Sequence, residues 1–262
     1  MTKTKLIRAA KDRFLSGIGV PEPAPFVADE FQKEAISSVA AGNDTLVVAP
    51  TGAGKTFIAL EAIAIALQLK CRAVYTTPLK ALSNTKYLEL KKRFEPQYSV
   101  GLLTGDRKIQ VDADVVVATT EIYRNELFRE YGKFSVVVLD EIHFISDLQR
   151  GPVWEESIIL TPKEATLLML SASISNSHEI SEWIEDVREK HCQIVQRKDR
   201  PVELRLGFLH PEIGVLPLYD DKGRIFPEVS RYYGSAKLDS SGMRLGGHFG
   251  RRGQPRRRRR RN

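Results

Sequence analysis

The chain has 262 residues, 42% hydrophobic and 28% charged, enough for one sizeable α/β domain with extensions or for two small domains. Even its apolar stretch AIAIAL at 62–67 is far too short to cross a membrane, and nothing resembles a secretory signal, so the chain reads as soluble, intracellular and cytoplasmic, with no membrane partner. The net charge of +7 is confined to the end: from Ser240 onward there is no acid and there are nine arginines, and subtracting these leaves about −2 for residues 1–239.

The first residues, MTKTKLIRAAKDRF, place Leu6, Ala10 and Phe14 on one helical face, which fits an amphipathic helix better than an organelle transit peptide. DEFQKEAISSVAAG (29–42) reads as a capped helix closed by glycine. Strand and helix then alternate. TLVVA is followed by a helix over 55–69, RAVYTT by a helix over 79–94, then VGLLTG, DVVVATT, a helix over 121–130 and FSVVVLD. A helical stretch around 146–160, TLLMLSAS, a helix over 176–189 and QIVQR complete the series. Short, all-apolar, β-branched strands between helices predict a doubly wound parallel sheet covered on both faces, with ligands at the carboxyl ends of the strands. From Pro211 the rhythm fails, and the Gly-, Ser- and Arg-rich end reads as irregular to disordered. Cys71 and Cys192 lack zinc spacing and read as free thiols.

APTGAGKT (49–56) stands between a strand and a helix, the context of a phosphate loop. In it, Thr51, Gly52, Ala53 and Gly54 bring backbone N–H groups around phosphates, Lys55 reaches the β and γ oxygens, and Thr56 offers a hydroxyl to Mg²⁺. Ala49 stands where glycine is usual, a mild departure. The plainer alternative is a glycine-rich turn. About 85 residues on, SVVVLDEIHFI ends a buried strand in Asp140 and Glu141, with His143 two places further. Side chains alternate along a strand, so the two acids are expected to diverge, one holding Mg²⁺ through water, the other facing the γ-phosphate and orienting a hydrolytic water. An exposed strand end rich in acids is the bland alternative, and His143 lacks the paired ligands of a zinc centre.

With APTGAGKT and DEIH in one chain, the sequence resembles the DExH-box branch of superfamily-two helicases, and within it the superkiller-like group. FVADEFQKEAI is similar to the family's adenine-reading segment; TTPLKALSNTKY (76–87), LLTGD (102–106) and TTEIYRNEL (119–127) resemble its strand-backbone motifs. DEIHFISDLQRGPVWEE (140–156), LSASISN (170–176) and RPVEL (200–204) continue the likeness, which covers residues 20–210. The resemblance implies a single RecA-like lobe that binds ATP and Mg²⁺, hydrolyses ATP and couples this to movement on single-stranded nucleic acid, RNA slightly favoured over DNA. It implies that Phe26 stacks on the base and Gln32 bonds its edge; that Lys55, Asp140 and Glu141 are catalytic; and that Thr56 and Asp140 serve the metal. It also implies that Pro78, Lys80, Ala81, Thr104, Gly105, Thr119 and Glu121 lie along the nucleic-acid backbone, and that His143, Ser171 and Ser173 couple the γ-phosphate to the rest of the motor. Singly, each threonine reads as readily as a helix cap or strand end.

The expected organisation is an N-terminal helical extension (1–20), the RecA-like domain (21–210) and a basic tail (211–262). Fewer than 60 residues follow Arg205, too few for a second lobe, which is expected to be lost or supplied by another chain. GRRGQPRRRR lacks the framework that would aim an arginine finger. The alternative function is a nonenzymatic adaptor gripping nucleic acid through that tail.

Overall fold

The computed structural model of the protein describes residues 3–16, 26–128, 133–200 and 204–235, which belong to two compact units. One holds the described residues within 25–202, the other those within 1–24 and 203–262. In chain order the elements are α1 (Lys3–Leu15), α2 (Glu30–Ala40), β1 (Asp44–Val48), α3 (Lys55–Gln68), β2 (Ala73–Thr77), α4 (Lys80–Phe94), β3 (Val100–Leu103), β4 (Lys108–Ile109) and β5 (Val115–Thr119). They continue with α5 (Thr120–Leu127), β6 (Val136–Leu139), α6 (Gly151–Leu160), β7 (Thr166–Ser171), α7 (Ser177–Arg188), β8 (Cys192–Gln196), β9 (Gly207–His210), β10 (Gly214–Pro217) and α8 (Pro227–Ser235).

The larger unit is built on an eight-stranded sheet of order β4-β3-β5-β2-β6-β7-β1-β8, in which every neighbouring pair is parallel except β3 and β4. Its central strands are buried along their whole length, which is why they read as continuous apolar runs. The two-residue alternation splits them between two cores. Val47, Val115, Val117, Val136, Val138, Leu168 and Leu170 pack with Ile58 and Ile63 of α3 and Leu90 of α4. Leu46, Val116, Val137, Leu139, Leu167 and Met169 face the other way, against Tyr123 of α5, Trp154 and Ile158 of α6, and Ile184 of α7. The doubly wound expectation therefore holds.

Three local expectations are corrected. The strand expected over VGLLTG stops at Leu103 and returns as β4, antiparallel, through the pairs Leu102↔Ile109 and Leu103↔Lys108. The return strand passes so close that a Cβ on Gly101 would sit 2.2 Å from the carbonyl oxygen of Gln110. The helix expected from 146 begins at Gly151, because Asp147 accepts the N–H groups of Gln149 and Arg150 at 2.9 and 3.0 Å and holds a turn there. Residues Ile142–Ser146 form a 3-10 turn instead. The segment read as irregular from 211 carries β10 and α8; residues 236–262, with most of the Arg-rich tail and its expected disorder, lie outside the described residues.

At the amino ends of β1 and β7, Arg188 is 1% exposed and donates to Asp44 Oδ2 at 2.5 Å and to the carbonyls of Thr161 and Ala165 at 2.8 Å. Asp44 Oδ1 accepts the N–H of Leu167 at 2.8 Å, so the buried pair ties α7 to the strands that carry the loops on the opposite edge.

The smaller unit joins α1 to the antiparallel pair β9–β10 and α8. Lys11 donates to the Ile213 carbonyl at 3.3 Å, Arg13 pairs with Asp221 at 2.9 Å, and the Phe208 ring lies 5.6 Å from Tyr232 of α8. Among the described residues no helix is long and apolar enough to cross a membrane.

Candidate functional site

Six strands deliver the expected site residues to the carboxyl edge of the sheet. β1 leads into the loop at 49–54, β6 ends before Asp140 and β7 ends on Ser171; β2, β3 and β5 lead to Pro78, Thr104 and Thr119. The strand order thus separates the acids and the glycine-rich loop from the threonine-rich loops, with β2 and β6 adjacent at the join.

Thr51, Gly52, Gly54, Lys55, Thr56, Asp140 and Glu141 line one cavity of ≈ 430 Å³, together with Leu82, Thr85, Lys86 and Glu89 of α4. Gly52 and Gly54 have φ of 84° and 83°, a conformation that turns successive N–H groups into the loop and that side chains resist. Lys55 donates to the carbonyls of Ala49 and Pro50 at 2.6 and 3.2 Å, so its ammonium lies folded over the loop. Burial lowers its pKa, opposed by the charges of Glu141 and Asp140.

The acids are held by different partners. Tyr75, fully buried on β2, donates its hydroxyl to Asp140 Oδ2 at 2.7 Å, and Asp140 Oδ1 accepts the N–H of Glu141 at 3.0 Å. Burial, then the Asp140 charge and hydrogen bond, push the Tyr75 phenol well above its ordinary pKa, so it remains a donor. Neither acid belongs to the strand: β6 ends at Leu139 and Glu141 is left-handed at φ 55°, ψ 47°. Their separation into distinct environments comes from this strained turn, which corrects the expectation of simple strand alternation. Burial and the neighbouring Asp140 raise the Glu141 pKa above the usual carboxylate range.

His143 Nδ1 lies 3.2 Å from Glu141 Oε2, and its ring stacks on Phe144, which stacks on Trp154, at centroid distances of 4.8 and 5.4 Å. A column of rings therefore runs from Glu141 into α6. Ser171 Oγ is buried with no hydrogen-bond partner, while Ser173 is exposed.

Gln32 is 3% exposed, its Nε2 donating to the Ala53 carbonyl at 3.0 Å and its Oε1 accepting the Asp29 N–H at 2.9 Å. Its amide thus clasps the loop, and a Cβ on Gly54 would strike Nε2 at 2.3 Å. Phe26 is 68% exposed and tilts against Phe57 at 4.7 Å, offering a free aromatic surface beside the first turn of α3. Along the other half of the edge, Lys80 Nζ lies 3.4 Å from Asp106 Oδ1, to which Thr104 Oγ1 donates at 2.9 Å, and Thr120 Oγ1 donates to the Thr77 carbonyl at 3.3 Å. Pro78, Ala81, Lys80, Gly105 and Glu121 reach the surface there, whereas Thr104 and Thr119 are buried.

Sequence reasoning missed Tyr75, Lys86 and Glu89. Tyr75 is the one aromatic in an otherwise small or β-branched strand, a signal that was open to reading. Lys86 and Glu89 form an i,i+3 pair at 2.9 Å, a pattern shared with any solvated helix face.

The model of the DEAD/DEAH box helicase family matches residues 29–180. The chain belongs to this family. As a DEAD/DEAH box helicase domain it is 44% identical over 208 residues to the chloroplastic DExH-box ATP-dependent RNA helicase DExH15 of Arabidopsis thaliana, covering 76% of this chain and 17% of that one. It is 39% identical to the antiviral helicase SKI2 of Saccharomyces cerevisiae, over 72% of this chain and 15% of that one, in line with the superkiller-like resemblance. It is 44% identical to the exosome RNA helicase MTR4 of Homo sapiens, over 69% of this chain and 17% of that one. The chain therefore spans less than a fifth of the length of these curated relatives. The DNA-bound DUF1998 helicase MrfA shares the fold, with a TM-score of 0.54 at 21% identity, over 75% of this chain and 30% of that one. A RecA-like helicase fold follows from the family.

The residues present fit a magnesium nucleotide. The left-handed glycines shape an anion cradle at the start of α3, and Ser171 Oγ is a buried polar atom with no hydrogen-bond partner at the same edge. Among the described residues no group of three or more His, Cys, Asp or Glu side chains is placed to hold a metal.

Proposed function

We propose that the larger unit is the ATP-binding and hydrolysing lobe of a nucleic-acid helicase, working on single strands, with RNA favoured over DNA. The observation that carries this reading is the single cavity shared by Lys55, Thr56, Asp140 and Glu141.

In it, Gly52 and Gly54 present N–H groups to the phosphates, and Lys55 leaves the Ala49 and Pro50 carbonyls for the β and γ oxygens. Thr56 and Asp140 would hold Mg²⁺, the Asp140 carboxylate kept in place by Tyr75 and the Glu141 N–H. The bound ion offsets phosphate charge. Glu141 orients the attacking water and takes its proton, helped by a pKa raised toward neutrality. His143, against Glu141, and Ser171 carry the state of the site outward. Phe26 stacks on the base, while Gln32 acts by fixing the loop. Lys80, Ala81, Gly105 and Glu121 flank the strand backbone without reading its sequence.

Among the described residues no arginine lines the cavity, and in the much longer relatives there is room for a further lobe to supply one. The RNA preference rests on relatives named as RNA helicases, set against a fold neighbour bound to DNA. Measuring ATP turnover with and without single-stranded RNA or DNA, beside Glu141→Gln, tests the reading. Turnover stimulated by one polymer and abolished by the substitution supports it; turnover untouched by Glu141→Gln contradicts it.

A further inference from the structure

We propose that Lys86 is a resident cation of the nucleotide site, occupying the magnesium side of the cavity and giving way when the magnesium nucleotide enters. The proposal rests on the nucleotide-site reading above.

Lys86 sits in the middle of α4, a helix whose first turn carries Lys80 and Ala81. Its side chain is only 18% exposed and points toward the phosphate loop, where Nζ donates to Thr56 Oγ1 at 3.0 Å. The same ammonium pairs with Glu89 Oε2 at 2.9 Å and lies 5.6 Å from the centroid of the Tyr75 ring. Tyr75 in turn donates to Asp140. Lys86 thus touches one expected magnesium ligand directly and reaches the other through one ring. An exposed i,i+3 ion pair explains none of this: the lysine is drawn inward, across to a different element, onto a hydroxyl.

A magnesium ion bound to an oxygen sits about 2 Å from it. Two cations on the Thr56 hydroxyl would then be at most about 5 Å apart, in a partly desolvated cavity where like charges repel strongly. Thr56 cannot serve both. When the ion arrives, Lys86 retreats to Glu89, its second acceptor, and the change is felt in α4. Because the first turn of α4 also carries Lys80, paired with Asp106 in the threonine-rich half of the edge, the exchange links the two halves of the site.

The exchange sets a magnesium requirement, read by titrating Mg²⁺ against the full chain with a fluorescent ADP and following nucleotide binding. Lys86→Met keeps the aliphatic stem and removes the competing charge; the half-saturating Mg²⁺ concentration is expected to fall threefold or more. Glu89→Gln removes the acceptor to which Lys86 retreats, and that concentration is expected to rise threefold or more. Loss of binding by Lys86→Met at every Mg²⁺ concentration, EDTA included, would make Lys86 a phosphate ligand and overturn the proposal, as would an unchanged Mg²⁺ midpoint. Should Lys86→Met fail to fold, Glu89→Gln decides alone: an upward shift supports the proposal and an unchanged or lowered midpoint overturns it. Wild-type protein that binds no nucleotide, or Lys55→Ala that binds as wild type does, would overturn the nucleotide-site reading itself and this proposal with it, an outcome distinct from an unmoved midpoint.

Discussion

Tyr75 holds Asp140 from the neighbouring strand, its buried hydroxyl 2.7 Å from one carboxylate oxygen while the Glu141 N–H takes the other. A carboxylate so gripped keeps one orientation whether or not an ion is present. Tyr75→Phe removes the grip without changing the shape of the core. A hydrogen bond to a charged group contributes about 1.5–3 kcal/mol, so hydrolysis should fall roughly tenfold or more, with ATP affinity little changed. Single-turnover assays separate the two, and unaltered turnover would show that Asp140 needs no such support.

Gln32 distinguishes two roles. Its amide gives one N–H to the Ala53 carbonyl and accepts the Asp29 N–H, so its truncation should loosen the loop. Gln32→Ala is expected to weaken ATP and GTP binding alike, by about tenfold if one buried hydrogen bond to the loop is lost. A loss confined to ATP would restore the adenine-reading role that the resemblance implied.

Glu141 carries a pH signature. Burial first, and Asp140 second, raise its pKa, so the folded chain holds the proton more tightly than the unfolded chain does. Its ionised form therefore costs stability above the folded pKa, and that cost vanishes as pH falls below the unfolded value. Without nucleotide or magnesium, Glu141→Gln should melt higher than wild type at neutral pH, and the gap should close as the medium is acidified through the carboxylate range. The same substitution should cut turnover by about 100-fold or more. Thermal melts in EDTA across pH check the first statement.

Arg188 is the structural counterpart at the far edge. Arg188→Ala strips buried Asp44 of its guanidinium, leaving Lys190 at 3.6 Å as its remaining cation, and takes the guanidinium donor from the Thr161 carbonyl. Breaking a buried pair in this way costs about 3–5 kcal/mol, readable by urea unfolding. Adding Asp44→Asn should recover part of the loss.

The strands of the larger unit were legible because both faces are buried, leaving no polar alternation to obscure them; Val115–Thr119 and Val136–Leu139 are examples. β4 was not, since two residues carry no period and the turn at Thr104–Arg107 looks like any loop. β9, which alternates exposed and part-buried residues over four positions, was not picked out, and β10, which fully buries Leu216 alone of its four, fell in the segment read as irregular. In the candidate site, the gathering of Gly52, Gly54, Lys55, Thr56, Asp140 and Glu141 into one cavity was legible because the phosphate and magnesium chemistry proposed for it restricts residue type and spacing. Tyr75, Lys86 and Glu89 act through tertiary approach from other elements, which no local pattern records. The left-handed turn at Glu141 was hidden for a different reason: the residue is one that rarely adopts that conformation, and its neighbours hold it there.

The central claim is that the cavity beneath the glycine-rich loop is a magnesium–nucleotide site. Calorimetric titration of ATP with Mg²⁺ into the wild-type chain and into Lys55→Ala tests it most directly. Saturable one-to-one binding by the wild type, weakened at least tenfold by Lys55→Ala in a variant with an unchanged circular dichroism spectrum, is the predicted result; equal affinity in both, or no binding by the folded wild type, would contradict it.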